Sequence, residues 1–209
     1  MAGLREKQKA DRERRILQAA VTKFRADGYR AVRIEDLADM AEVSVGTVYN
    51  YYQTKGDILM ATVAMEVEEV LDAGLTILAD PPQAVDDALL ALIFAYYDHS
   101  LEYLTKEMWR NAMALAIEAP GTPNGRRYFE LDQRLAAQMT DLVQVLQERG
   151  TVRRDLDPRP LGVLLFNNLN QMFLEFVKDD DMTLEVLRRR VDAQTRPLAQ
   201  LIAAGPAVH

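Results

Sequence analysis

The sequence predicts an all-α protein: an N-terminal three-helix head carrying a helix-turn-helix, then a C-terminal helical body, about nine helices in all. Three observations lead there. Apolar residues recur at helical spacing from about residue 10 to beyond residue 200, and no stretch sustains the period-two alternation of β-branched residues that marks a strand. Helix-start punctuation recurs along the chain: capping residues followed by proline, or by an acid or amide three positions on. Charge also divides the chain. Residues 1–55 carry 11 Lys+Arg and 8 Asp+Glu, whereas residues 56–209 carry 14 and 24, within a total net charge of −7.

The elements follow in order. A first helix is expected from about Ala10 to Asp27, with Ile16, Ala20 and Phe24 on one face and Gly28 in the left-handed position that ends it. A second runs from about Ile34 to Ala41, with Ile34, Leu37, Ala38 and Ala41 on one face. Glu35 and Asp36 lie in its first turn, where the helix dipole favours acids. Ser44 is the N-cap expected for a third, Val45 to Tyr51. Thr54 to Asp57 reads as a capping box with aspartate at its third position, opening a connecting helix over 55–79. Asp80-Pro81-Pro82-Gln83, Thr122-Pro123 and Asp157-Pro158 open three more, and Asp181 is placed as cap of a last helix from about Met182 to Ala204. The tail Gly205 to His209 is expected to be loose. The expected division is a three-helix head over 1–54 and a helical body over 55–209.

Composition narrows the class. With 49% hydrophobic and 27% charged residues the chain is globular rather than disordered. It has no cysteine, which excludes a disulfide framework and a thiolate metal site and fits a reducing cytoplasm. Residues 1–15 lack the apolar segment of a secretory signal, and the longest apolar stretch, 88–97, falls short of the roughly 20 residues a bilayer needs. A soluble cytoplasmic protein without membrane association is expected.

The head has a basic excess, 10 Lys+Arg against 4 Asp+Glu in residues 1–33. Phosphates are a natural partner for it, although the same residues could simply solvate the first helix. Two short helices joined by the tight Glu42-Val43-Ser44 turn have the size of a helix-turn-helix, whose second helix enters the major groove. Val45-Gly46-Thr47-Val48-Tyr49-Asn50-Tyr51 suits that place. Gly46 removes bulk, Thr47 can touch a thymine methyl or a base edge, and Tyr49 and Tyr51 can donate hydroxyls to phosphates. Val48 and Tyr52 are placed inward. Asn50 is balanced between DNA contact and a structural role.

From Arg15 to Leu59 the chain resembles the DNA-binding domain of the TetR family. The residues that carry the resemblance are Ile16-Leu17, Ala20, Phe24, Gly28-Tyr29, then Ile34, Leu37-Ala38, Ala41, Val43-Ser44, Gly46-Thr47-Val48-Tyr49, Tyr51-Tyr52, Lys55 and Leu59, in order and at the right spacing. The resemblance implies DNA-facing roles for Ser44, Thr47, Tyr49 and Tyr51, and a phosphate contact for Lys55 at the amino terminus of the connecting helix, where free N–H groups also attract anions. Arg5, Lys7, Lys9 and Arg12 are expected to form a flexible arm adding phosphate contacts. Two positions depart from the family. Glu42 stands where relatives have glycine, in a turn that often takes positive φ. Arg33 stands where Ser or Thr caps the second helix; it forfeits that cap and is free to meet a phosphate. Tyr51-Tyr52 replaces a His-Phe pair.

The body shows no catalytic constellation: the histidines are His99 and His209, and no phosphate-binding loop, dinucleotide fingerprint or nucleophile elbow is present. Asp179-Asp180-Asp181 reads as a solvated loop rather than a metal site. No enzyme activity, metal or cofactor is expected. The family resemblance implies an effector pocket lined by aromatic and methionine side chains. Its candidates are Tyr97, His99, Trp109, Met113, Tyr128, Asn167 and Gln171, each of which also has an ordinary core reading. The helix over about 158–178 is apolar nearly all round, so a partner subunit is expected to cover it, together with the last helix, in a homodimer. Asn167, Asn170 and Gln171 are assigned either to the pocket or to hydrogen bonds in that interface. The expected function is a repressor that binds a palindromic double-stranded DNA operator as a dimer and is released by a small, mostly apolar effector. The alternatives are an activator or corepressor-dependent regulator, or a small-molecule-binding protein or enzyme with a DNA-binding head.

Overall fold

The computed structural model describes residues 2–205, and among them are nine α-helices and no strand. The helices are α1 (Ala2–Asp27), α2 (Ile34–Met40), α3 (Val45–Tyr49), α4 (Lys55–Ala79), α5 (Val85–His99), α6 (Lys106–Glu118), α7 (Pro123–Glu148), α8 (Pro158–Lys178) and α9 (Leu184–Ile202). They form two compact units: residues 1–66 with 101–129, and residues 67–100 with 130–209. Of the expected tail, Pro206 to His209 lie outside the described residues.

In the first unit, α1 packs on α2 and α2 on α3. Ile16, Ala20, Phe24, Leu37 and Val48 are fully buried. Gly28, at φ +82, donates its N–H to the Phe24 carbonyl at 3.1 Å and ends α1 as expected. Two boundaries differ from expectation. The segment ahead of residue 10 is helical rather than a flexible arm, because α1 begins at Ala2. α3 stops at Tyr49, with Asn50 as its C-cap. The turn between α2 and α3 is a Schellman motif: the Val43 N–H reaches the Ala38 carbonyl at 3.0 Å and the Glu42 N–H the Asp39 carbonyl at 3.1 Å. That motif needs a left-handed residue, and Glu42 supplies it at φ 52, at a cost of about 1 kcal/mol relative to glycine.

The capping box at the start of α4 forms as read. The Thr54 N–H donates to Asp57 Oδ2 at 2.8 Å and the Asp57 N–H to Thr54 Oγ1 at 3.1 Å. Asp157 caps α8 through the Arg159 N–H at 3.0 Å, and Thr122 accepts from the Gly125 N–H at 3.2 Å at the start of α7. Two expected starts move. α5 begins at Val85 rather than Pro81, since a residue preceding proline is pushed out of the α region and Pro81 precedes Pro82. α9 is capped by Thr183, which accepts from the Val186 N–H at 3.3 Å. Asp181 does not cap it; Asp179 instead closes the preceding turn through the Asp181 and Met182 N–H groups.

In the second unit the main packing is α5 on α9, with α8 also on α9. Leu89, Leu92, Ile93, Met139, Leu142, Phe176, Leu187 and Val191 form its core. At Gly162 on α8 a Cβ would come within 2.5 Å of the Thr140 Cα on α7, so only glycine permits that approach. α8 is less enclosed than its composition implies: Val163 and Leu164 are 41% and 56% exposed.

Candidate nucleic-acid interface

α3 is built to hold a short helix with its outer face free. The Thr47 N–H donates to Ser44 Oγ at 3.1 Å, and the two hydroxyls lie 2.8 Å apart. Such a cap is worth about 1 kcal/mol, which matters for five residues that could not remain helical alone. Val48 and Tyr52 turn inward as expected and are buried. Ser44, Gly46, Tyr49 and Asn50 are exposed, Tyr49 by 50%, while Val45 and Thr47 are half-buried. A Cβ at Gly46 would meet only Ser44 Oγ at 3.9 Å. Internal packing therefore does not demand glycine there.

Arg33 is exposed at the N-cap of α2. A guanidinium has no acceptor, so it cannot cap. Asp36 instead accepts the Arg33 N–H at 2.8 Å, leaving the guanidinium outside the cap. Glu42 is exposed, 3.8 Å from an Arg15 guanidinium nitrogen, which tempers its negative charge near the turn.

Tyr51 and Lys55 are engaged within the protein. Tyr51 donates its hydroxyl to the Lys9 carbonyl on α1 at 3.0 Å. Lys55 donates to the Arg30 and Val32 carbonyls at 3.0 and 2.9 Å and lies 4.7 Å above the Tyr29 ring. Burial pulls the Lys55 ammonium below the usual lysine range, partly offset by the Glu107 carboxylate. Lys55 thus ties the loop between α1 and α2 to the start of α4, with one N–H donor left beyond the two carbonyls. Sequence reasoning missed this role because the acceptors are backbone groups more than 20 residues away.

The comparisons with known proteins agree with this geometry. Residues 16–62 match the profile of the family described as bacterial regulatory proteins, tetR family. Over those residues this chain resembles the TetR family. Among curated TetR-like relatives, the HTH-type transcriptional repressor KstR of Rhodococcus jostii is 29% identical over 72% of this chain and 62% of its own length. KstR of Mycolicibacterium smegmatis is 35% identical over 29% of each chain. The chain thus spans less than two thirds of these relatives. A TetR-family transcriptional regulator of Pectobacterium atrosepticum shares the fold, with a TM-score of 0.73 and 18% identity over 95% of this chain and 97% of that one. The relatives are transcriptional regulators, and no helix among the described residues is long and apolar enough to cross a membrane.

The seven effector candidates divide between the units. In the first, Trp109 and Met113 are buried on α6 and Tyr128 is half-buried on α7. In the second, Tyr97 is 2% exposed, donates its hydroxyl to the Leu169 carbonyl at 2.7 Å and stacks 6.0 Å from Phe173. His99 Nε2 lies 3.2 Å from Glu69 Oε2. Asn167 and Gln171 are exposed and do not line an interior with Tyr97. Helical spacing places them on the outward stripe with Val163 and Leu164, while Leu165, Phe166, Leu169, Met172, Phe173 and Phe176 take the inward one.

Buried polar side chains missed from sequence include Gln138 and Glu66. Gln138 accepts from the Tyr96 hydroxyl and donates to the Leu71 carbonyl, both at 2.7 Å. Glu66 is 1% exposed and accepts the Tyr103 N–H at 3.3 Å. Glu66 could have been found: it continues the buried i, i+4 stripe of Ile58, Thr62 and Val70. Burial also pushes the Asp132 carboxyl up to about 7.

Proposed function

We propose that this chain is a ligand-responsive transcriptional repressor that binds a palindromic operator as a homodimer and is released by a small, mostly apolar effector. The observation that carries the reading is α3: a capped five-residue helix with Val48 inward, Thr47 half-buried and Tyr49 exposed, followed by an exposed Asn50 C-cap, inside the stretch matching the tetR family. Residues 1–54 are assigned to DNA. Arg33, Ser44, Val45, Gly46, Thr47, Tyr49 and Asn50 meet the duplex, and the start of α4 at Lys55 faces a phosphate through its free N–H groups. Residues 55–209 are assigned to the effector and to dimerisation, and the protein works where the DNA is, in the cytoplasm.

The outward stripe of α8 supports the dimer. Val163 and Leu164 are exposed beside Asn167 and Gln171, which suits an interface with an apolar centre and hydrogen-bonding amides, and α9 adds Leu198 and Leu201. Two heads about 34–36 Å apart would read half-sites one helical turn apart. The effector candidates retained are Trp109, Met113 and Tyr128 in the first unit and Tyr97 and His99 in the second. Release needs an effector that binds the DNA-incompetent dimer better than the competent one.

The test is a mobility-shift titration against duplexes from the promoter regions flanking the gene. A salt-sensitive shift at sub-micromolar protein is expected, with dimer stoichiometry. Absence of any sequence-preferring shift would overturn the reading.

A further inference from the structure

Resting on the effector-responsive reading above, we infer that Asp132 on α7 is the anionic contact of the effector site, and that the effector is an amphiphilic organic cation, an apolar body carrying an ammonium group.

Asp132 departs from the pairing that neighbouring acids keep. In the second unit Asp98 pairs with Arg188, Asp86 with Arg196 and Glu68 with Arg134. Asp132 is half-buried, and its carboxyl makes no ion pair or hydrogen bond among the described residues. Arg134, two residues on, is exposed and committed to Glu68. Acids in apolar surroundings without a cation are uncommon inside proteins, and they concentrate at functional sites.

The surroundings of this carboxyl are apolar. Ala136, Met139 and Val143 follow it along α7 at i+4, i+7 and i+11, and all three are buried. Asp132 therefore ends a core stripe rather than belonging to the solvated face of the helix. Burial pushes its carboxyl up to about 7, with no charged neighbour offsetting the loss of water. Roughly 9 Å further along α7, Gln138 accepts the Tyr96 hydroxyl of α5. Tyr97, next on α5, reaches the Leu169 carbonyl of α8 and stacks on Phe173. Aromatic rings thus begin within about two turns of the carboxyl, and their faces attract cations as well as apolar groups.

The charge of the body points the same way. Residues 56–209 carry 14 Lys+Arg and 24 Asp+Glu, so their field draws cations and repels anions. A cation turns the cost of burying the Asp132 carboxylate into an attraction. A neutral ligand leaves that cost in place, and an anion adds repulsion. The apolar and aromatic surroundings favour a cation whose remaining surface is apolar.

The experiment is isothermal titration calorimetry on the full chain, with probes of one chain length and different heads: octylammonium, octyltrimethylammonium, octanol and octanoate. Wild type is expected to bind an ammonium probe at least about tenfold more tightly than octanol, with octanoate weakest. Asp132→Asn should lose at least about tenfold in ammonium affinity and leave octanol unchanged, and Asp132→Glu should keep most of the preference. Glu148→Gln removes an exposed acid at the carboxyl end of α7 and should change nothing. Thermal melting checks that each variant is folded. A preference that survives in Asp132→Asn, octanol bound as tightly as ammonium by wild type, or no binding of any probe overturns the inference. Operator release is read in parallel on a duplex that wild type selects from a random-sequence library. The ammonium probe should release wild type and, at the same concentration, leave Asp132→Asn bound. Release by octanol but not by ammonium overturns the cation and keeps the effector reading. Ammonium bound through Asp132 without release overturns its role as effector. If wild type selects no duplex, the regulator reading falls, while calorimetry still decides whether Asp132 holds a cation.

Discussion

α3 and α8 both keep part of their surface outside the core, and they expose different chemistry. α3 is five residues long, owes its existence to the Ser44 cap and the Val48 anchor, and presents small and polar groups with one half-exposed tyrosine. α8 is 21 residues long, is anchored by six or more buried apolar side chains, and presents Val163 and Leu164 among amides. Exposed polar groups on a short capped helix cost little in water and can be re-paired by base edges and phosphates. Exposed branched aliphatics gain free energy only when another apolar surface covers them. The proposed function puts nucleic acid at α3 and a second copy of the chain at α8, and each proposal can be broken separately.

The largest effect is expected at α8. Leu164→Glu places a charge at the centre of the proposed interface, and the dimer dissociation constant should rise at least about a hundredfold, as 3 kcal/mol or so would require. Sedimentation velocity should show monomer at micromolar concentration, with operator affinity falling in parallel while the melting temperature of the monomer is kept. An unchanged dimer would remove α8 from the interface. At α3, replacing Thr47 and Tyr49 together by alanine should weaken specific DNA binding by about 1–3 kcal/mol for each base edge that is no longer met, without moving the sedimentation profile. A loss shared equally by non-specific duplexes would make these residues backbone contacts only.

Two smaller predictions sharpen the comparison within each unit. Burial raises the Asp132 carboxyl to about 7. Between about pH 4 and pH 7 the folded state therefore holds a proton that the unfolded state has released. This stabilising contribution is present below the unfolded value and is lost as pH rises through 7. Asp132→Asn should leave stability near pH 4 almost unchanged and raise it by about 1–3 kcal/mol at pH 8, read from urea melts at the two pH values. Glu42→Gly relieves the left-handed strain at φ 52 but loosens the unfolded chain, so a net gain of at most about 1 kcal/mol is expected. A loss instead would show that the Arg15 contact outweighs the strain.

Much of the fold was legible because it depends on local chemistry. The capping box at Thr54 and Asp57, the Asp157-Pro158 start and the Gly28 stop are each encoded within four residues, and each appears where it was read. The misreadings share a cause. Asp80-Pro81 looked like a helix start until Pro82 is weighed, and Asp181 looked like a cap although Thr183, two residues on, is one. Such errors arise where adjacent signals compete and the packing of the following helix selects among them.

The candidate site divides in the same way. The inward turn of Val48 and Tyr52 and the positive φ at Glu42 follow from spacing and turn type. The partners of Tyr51 and Lys55 do not: each hydroxyl or ammonium could serve a phosphate or a carbonyl, and backbone carbonyls carry no sequence signature. By itself the sequence determined an all-α chain, the place of its helix-turn-helix and which α3 residues face out, because helix period, caps and left-handed turns are properties of neighbouring residues. Only the tertiary structure decided that Tyr51 fastens α1, that Lys55 closes the α1–α2 loop and that Asn167 and Gln171 face outward, because those outcomes depend on which distant backbone and side-chain groups folding brings within hydrogen-bond reach.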